Sequence, residues 1–326
     1  MERRKFIQNS LALGLGATAL GTLSANTLGQ QFLESNLSTS PFFKLSLAQW
    51  SLHNAIQKGD LNPYDFAAKA KDLGFEGIEY VNDLYRDVMT AKDKNTALKQ
   101  FIAQSNAQAK EHGVENVLIM IDGEGDLAVP SVKERNKAIE NHKAWVETAA
   151  AMGCHSIRIN LFGERDEQAW KAQSAESMLK LGEFAAPYNI NIIVENHGYL
   201  SSNAALVMEM LKDVNLSNCG TLPDFGNFCL ERSKGARWDG ACIKEYDRYQ
   251  GVEELLPRAF AVSAKSHDFD AQGNETNTDY LRMLKLVKST GYNGFIGVEY
   301  EGSSLSEVEG ILATKNLLLE KAKLIV

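Results

Sequence analysis

Residues Ile190–Gly198 read INIIVENHG, and the change of character inside this stretch decides the fold. An apolar, β-branched run from Ile190 to Val194 delivers a carboxylate, Glu195, then an amide, Asn196, then an imidazole, His197. A run of this length and composition, following a helical stretch, has the character of a strand buried in a parallel sheet. In parallel α/β sheets ligands bind beyond the C-terminal ends of the strands. Glu195 is therefore expected at the mouth of a pocket. The same grammar recurs downstream: Cys219–Asp224 ends on Asp224, Ala261–His267 on His267, and Gly294–Glu299 on Glu299. Four strand ends supplying two Glu, one Asp and one His predict a divalent metal site.

From Phe42 onward the chain repeats one unit eight times: apolar strand, polar loop, helix, and a turn that usually carries Gly or Asn. The expected strands are Lys44–Ala48, Gly77–Val81, Val114–Ile121, Ser156–Leu161, the Glu195 strand, Cys219–Asp224, Ala261–Ser266 and Gly294–Tyr300. Helices are expected from the Asn62 cap with Pro63 at its first position to Gly74, and over Thr96–Glu111, Val132–Met152, Ala169–Tyr188, Asn203–Lys212, Thr278–Ser289 and Ser306–Lys321. A short helix near Glu253–Leu256 follows a long loop, Phe225–Lys244. Gly after a helix supplies a left-handed cap, and eight such units predict an α/β fold of the (β/α)8 TIM-barrel type over residues 42–326. An open doubly wound sheet is the weaker alternative, because no G-x-G-x-x-G follows a strand and Gly123-Glu124-Gly125 lacks the third glycine.

The 326 residues, 44% apolar and 23% charged, suffice for such a barrel. The N-terminus reads as a targeting segment. Arg3-Arg4 followed by Lys5-Phe6 and a weakly apolar, Gly- and Ala-rich stretch resembles a twin-arginine export signal over residues 1–29. A polar linker over 30–41 follows it, which predicts a periplasmic protein with no stable membrane anchor. The formal charge is −8, and since residues 1–25 hold Glu2 against Arg3, Arg4 and Lys5, it becomes −10 without them. An acidic chain with no basic block is a poor partner for nucleic acid or an anionic membrane. Cys154, Cys219, Cys229 and Cys242 form no C-x-x-C pair, so neither a zinc knuckle nor a thioredoxin motif is written here. A Cys219–Cys229 or Cys229–Cys242 disulfide is compatible with export, but buried free thiols are the expected state.

Three carboxylates and a neutral imidazole suit a borderline or hard divalent ion, with Mn first among Mn, Mg, Co and Zn. Such an ion would polarise the carbonyl of a sugar or keto-sugar while a carboxylate moves the neighbouring proton. Lys265 precedes His267 by two residues and so points the same way on a strand, where its ammonium could neutralise an enolate. Gln49, His53, Glu79 and Asn160 lie at other strand ends as candidate substrate contacts. Trp50 and Trp238 could stack on a sugar face, although core packing is the simpler use of an aromatic.

The ordered set Glu195 in IVENHG, Asp224 in LPDFGNF, His267 in AKSHDFD and Glu299 in GVEYEG resembles the xylose isomerase-like TIM-barrel superfamily over roughly residues 44–320. This superfamily includes sugar isomerases and epimerases, inosose dehydratases and the endonuclease IV branch. The resemblance implies that Glu195 and Glu299 are metal ligands that double as the acid/base pair, and that Asp224 and His267 are ligands only. It implies that His197 binds substrate or orients the site. Asn227 stands where tagatose-type epimerases carry a substrate-binding His, a departure that sets free-ketose epimerisation apart. The expected activity is a metal-dependent isomerase or epimerase on a small-molecule carbohydrate. A lyase or dehydratase on a keto-sugar, glycoside or cyclitol is the alternative, and a non-catalytic carbohydrate-binding barrel the second. The sequence is compatible with an oligomer.

Overall fold

A computed structural model describes residues 40–325 of the chain. The twin-arginine segment, and all but the last two residues of the linker, lie outside the described residues. Eight parallel strands make one curled sheet: β1 (Lys44–Ala48), β2 (Gly77–Val81), β3 (Glu115–Met120), β4 (Ser156–Ile159), β5 (Asn191–Glu195), β6 (Cys219–Leu222), β9 (Val262–Ser266) and β10 (Phe295–Tyr300). Their order is β6-β5-β4-β3-β2-β1-β10-β9. The two outer edges meet through parallel bridges, Thr221 opposite Ala259 and Asp224 opposite Ser263. There the Phe225 N–H donates to the Ser263 carbonyl (3.0 Å), and the Ser263 N–H donates to the Pro223 carbonyl (2.9 Å). The expected TIM-barrel fold is thus present, with every strand running the same way and the C-terminal strand ends gathered at one mouth.

Helices follow the strands because the loops between them carry caps. Asn62 accepts from the Tyr64 N–H (3.1 Å) and opens a 3-10 turn at Pro63 that leads into Phe66–Asp72. Ser131 caps Val132–Met152, which closes on Gly153 at φ 75°, a left-handed backbone that favours glycine. Asp93 accepts from the Thr96 N–H, so this helix begins at Lys94 and runs to His112. Asn203 is a cap rather than a helical residue, opening Ala204–Val214. Ser306 and Glu309 form a complete capping box ahead of Glu307–Ala322.

The long loop expected over Phe225–Lys244 contains more order than the sequence suggests. It folds into an antiparallel hairpin of β7 (Cys229–Arg232) and β8 (Cys242–Glu245). The residues of β8 are all exposed, so no apolar alternation marks it. Cys229 and Cys242 are joined in a disulfide with Cα atoms 5.8 Å apart. The expectation of free thiols holds for Cys154 and Cys219, which are buried, and fails for this pair, whose positions the hairpin register brings together. Among the described residues no helix is long and apolar enough to cross a membrane.

Candidate active site

The mouth of the barrel holds a cluster of buried charge. Glu195 ends β5, Glu299 lies in β10, and Asp224 follows β6 across Pro223. One oxygen from each lies within 4.8 Å of the others, and all three side chains are buried. By these ligand atoms alone, the buried acidic triad could bind a metal ion.

His267 does not join it. The strand ends at Ser266, and the His267 imidazole stands on the rim, 42% exposed, its Nε2 4.0 Å from Glu301 Oε2. The side chain that enters the cluster from this strand is Lys265, 2% exposed, with Nζ 3.3 Å from Glu299 Oε1 and 3.4 Å from Glu301 Oε2. Burial alone would push this amine toward neutrality. Glu299, Glu301, Asp224 and Glu195 outweigh that and hold it well above the ordinary lysine value.

Arg158 of β4 is the second buried cation, with Nη1 3.1 Å from Asp122 Oδ1 and Nε 3.0 Å from Glu195 Oε2. The Nε–H does not point at the carboxylate, so this contact is an ion pair and not a hydrogen bond.

The carboxylate oxygens are largely committed. Glu195 Oε1 accepts from Asn227 Nδ2 (3.0 Å). Asp224 Oδ1 accepts from the backbone N–H groups of Gly226 (2.7 Å) and Asn227 (2.8 Å). The Ser263 hydroxyl sits between Asp224 Oδ2 (2.7 Å) and Glu299 Oε2 (3.1 Å). Asn196 clamps the Asp224 backbone from both sides, donating to its carbonyl (2.9 Å) and accepting from its N–H (2.7 Å). Burial is the largest influence on Glu195, pushed up to about 8, and on Glu299, also raised. A three-oxygen metal site would need these same atoms, with Lys265 and Arg158 already beside them. A divalent ion held by the triad would have to displace these partners and sit beside both cations.

His197 is oriented from behind. Its Nδ1 lies 2.7 Å from Asn160 Oδ1, whose amide donates to Asp122 Oδ1 (2.6 Å). Since Asn160 Oδ1 can only accept, Nδ1 carries the proton and Nε2 is left as an acceptor. Burial, then Arg158 and Lys265, lowers the imidazole to about 3 and keeps it neutral. The disulfide hairpin reaches this edge of the mouth. Trp238, 53% exposed, lies 4.7 Å from the His197 ring and 5.7 Å from Phe162, and the Arg237 guanidinium lies 4.0 Å from the Phe162 ring.

Of the remaining expected contacts, Asn160 and Asn227 reach the site, but toward His197 and Glu195. Glu79 is buried in the barrel interior, with Oε1 accepting from Ser46 (2.5 Å) and its carboxylate packed over Gly297. Gln49 is fully buried and braces the fold, bonding the Tyr85 hydroxyl (2.9 Å) and the Val81 N–H (3.1 Å). His53 stacks on Trp50 (4.4 Å), its Nδ1 2.6 Å from the Trp50 carbonyl, and is not brought to the triad. Arg158, Glu301, Asp122 and Ser263 belong to the cluster and were not expected. Arg158 and Glu301 lie two residues from Asn160 and Glu299, so strand alternation was the signal that could have found them.

The family model described as "Xylose isomerase-like TIM barrel" matches residues 67–321. The chain belongs to that family. The curated C-glycoside deglycosidase alpha subunit of Arthrobacter globiformis is 33% identical over 55 residues, a match spanning 17% of this chain and 16% of that one. The 3-keto-D-glucoside 4-epimerase of E. coli is 14% identical, covering 79% of this chain and 94% of its own, with a TM-score of 0.60. A xylose isomerase-like TIM barrel protein from Mycobacterium smegmatis, solved with magnesium, is 16% identical over 86% of this chain and 96% of its own, with a TM-score of 0.59. At these identities the two solved structures share the fold of this xylose isomerase-like barrel.

Proposed function

We propose that this barrel is an isomerase or epimerase of a keto-sugar, working by proton transfer next to a carbonyl. The observation that supports it most is the pair of buried carboxyls, Glu195 and Glu299, in one small space, each beside its own cation, Arg158 or Lys265. One carboxylate takes the proton from the carbon adjacent to the carbonyl. The C–H electron pair moves into the carbon–carbon bond and the carbonyl π pair onto oxygen, giving an enolate held by the buried cations. The other carboxyl returns a proton, to the opposite face for epimerisation or to the next carbon for isomerisation. Asp224, held by two backbone N–H groups and Ser263, positions the cluster and moves no proton. The manganese dependence expected from the sequence is not part of this reading, because Arg158 and Lys265 already pair with the carboxylates that would hold the ion.

Names among its relatives support a keto-sugar substrate: a 3-keto-glucoside epimerase shares the fold, and a C-glycoside deglycosidase subunit shares a short segment. The second of these favours an alternative lyase, in which the same enolate expels a β-oxygen or an aglycone. Incubation with 3-keto sugars in deuterium oxide separates the readings. Deuterium gained with the formula retained means isomerase or epimerase, and loss of water or aglycone means lyase. Neither outcome leaves a carbohydrate-binding barrel. Glu299→Gln should abolish exchange, and exchange that survives it refutes the acid/base pair.

We also propose that the protein works in the periplasm after export. The Cys229–Cys242 disulfide supports this, since such bonds persist in oxidising compartments. Replacing Arg3 and Arg4 by Lys and following the chain in cell fractions tests it.

A further inference from the structure

We propose that the ammonium of Lys265 is the resident cation of this site, paired with a carboxylate that a divalent ion would need, so that the protein takes no metal. The inference rests on the proton-transfer reading for its chemistry but not for its geometry. Lys265 comes from the strand that was expected to deliver an imidazole ligand, one strand-step deeper than His267. Its Nζ contacts Glu299 and Glu301, and Asp224 lies close enough to share the Ser263 hydroxyl with Glu299. The stem has a prepared path. A side chain at Gly226 would begin 3.3 Å from Lys265 Cγ and 3.5 Å from its Cβ and Cδ, so the lysine stem passes close along the backbone that follows Asp224. Glu195 on the far side is met by Arg158.

A divalent ion placed among the triad would face the Lys265 ammonium at close range in a buried setting, where charge repulsion is little screened. The imidazole that could have completed its coordination stands outside. The ammonium supplies what the ion would have supplied: a fixed positive charge beside the oxygen on which negative charge develops. Its point charge on a flexible stem also lets it follow that oxygen.

The test counts metal. The full chain, expressed with manganese, magnesium and zinc salts supplied, should hold fewer than ~0.1 ion per molecule by mass spectrometry, and its melting temperature should be unchanged by EDTA or added Mn2+. A chain that purifies with about one ion, and loses thermal stability when EDTA removes it, overturns the proposal. Lys265→His restores an imidazole inside the cluster and should take up about one Mn2+ or Zn2+, read by the same count and by a rise in melting temperature. A folded Lys265→His that takes up none overturns the claim that the ammonium excludes the ion. Should that variant fail to fold, the ion count on the unaltered protein decides alone. Lys265→Met should slow solvent exchange by roughly 10²-fold or more without creating metal dependence. The ion count needs no turnover, so failure of the exchange experiment and failure of this proposal are separate results.

Discussion

Reduction of the Cys229–Cys242 bond should loosen the hairpin while leaving the barrel folded. The magnitude follows from the loop the bond closes. The two cysteines are 13 residues apart. A closed loop of roughly 15 residues confines the open chain enough to be worth about 3 kcal/mol in the chain-entropy account. The other anchors of the hairpin are weak. Arg237 pairs with Asp126 at 2.9 Å in a part-buried setting, and Arg165 donates to the Gly235 carbonyl at 2.8 Å in an exposed one. Solvent-accessible contacts of this kind contribute about 1 kcal/mol or less each. The disulfide therefore dominates, and its loss should raise the open population of the hairpin by roughly two orders of magnitude.

Limited trypsin digestion reads that population directly when opening is fast relative to cleavage. Arg232, Lys234 and Arg237 lie within the hairpin region, so cleavage there should accelerate sharply with reductant or in Cys229→Ser, while melting of the barrel barely moves. Thiol titration supplies a control. The native chain should show no reactive thiol, since Cys154 and Cys219 are buried, and both should appear only in denaturant. An acceleration of less than about threefold would mean that packing of Trp238 and Arg237 on Phe162 holds the hairpin by itself, and the entropy reasoning would fail. Because Trp238 lies against His197, the loosened protein should also show a raised KM with kcat less affected.

Three further outcomes follow from single contacts. Burial pushes the Glu79 carboxyl from 4.5 up to about 7, so the folded state holds a proton that the unfolded state releases, and stability falls as pH rises through that window. Glu79→Gln should remove this loss, gaining on the order of 3 kcal/mol over the parent between pH ~4.5 and ~7 in urea titrations; parallel curves for the two proteins would refute it. Asn227→Asp places a second carboxylate where an amide now donates to Glu195 at 3.0 Å, and exchange should drop roughly 10²-fold; unchanged exchange would show that this bond positions nothing. Gly251→Ala directs a methyl to within 2.2 Å of the Phe228 ring beneath the hairpin, and should cost about 1–3 kcal/mol in urea unfolding.

The architecture was legible because its signals are local and repeat. The Asn62 cap, the glycine that closes Val132–Met152 and the β-branched run into Glu195 each act within a few residues, and the structure uses each where the sequence put it. The hairpin was not legible, because its strands are four residues long and β8 has no buried face to pattern. Asp224 and Glu299 were legible for the same reason as Glu195: each closes an apolar run. The choice between Lys265 and His267 was not. Both project from one face of a strand, and a period of two cannot rank them. What separates them is depth. At roughly 3.3 Å per residue, two residues shift a side chain by about 6–7 Å along the strand, enough to move it from the carboxylate layer to the rim. That depth is fixed by where β10 and β6 end beside the strand, through Glu299 opposite Lys265 and Asp224 opposite Ser263, contacts made between residues more than thirty positions apart. A reading that stops at the last polar residue of an apolar run therefore names the right strand but a side chain on the rim, one step above the ammonium that lies against Glu299.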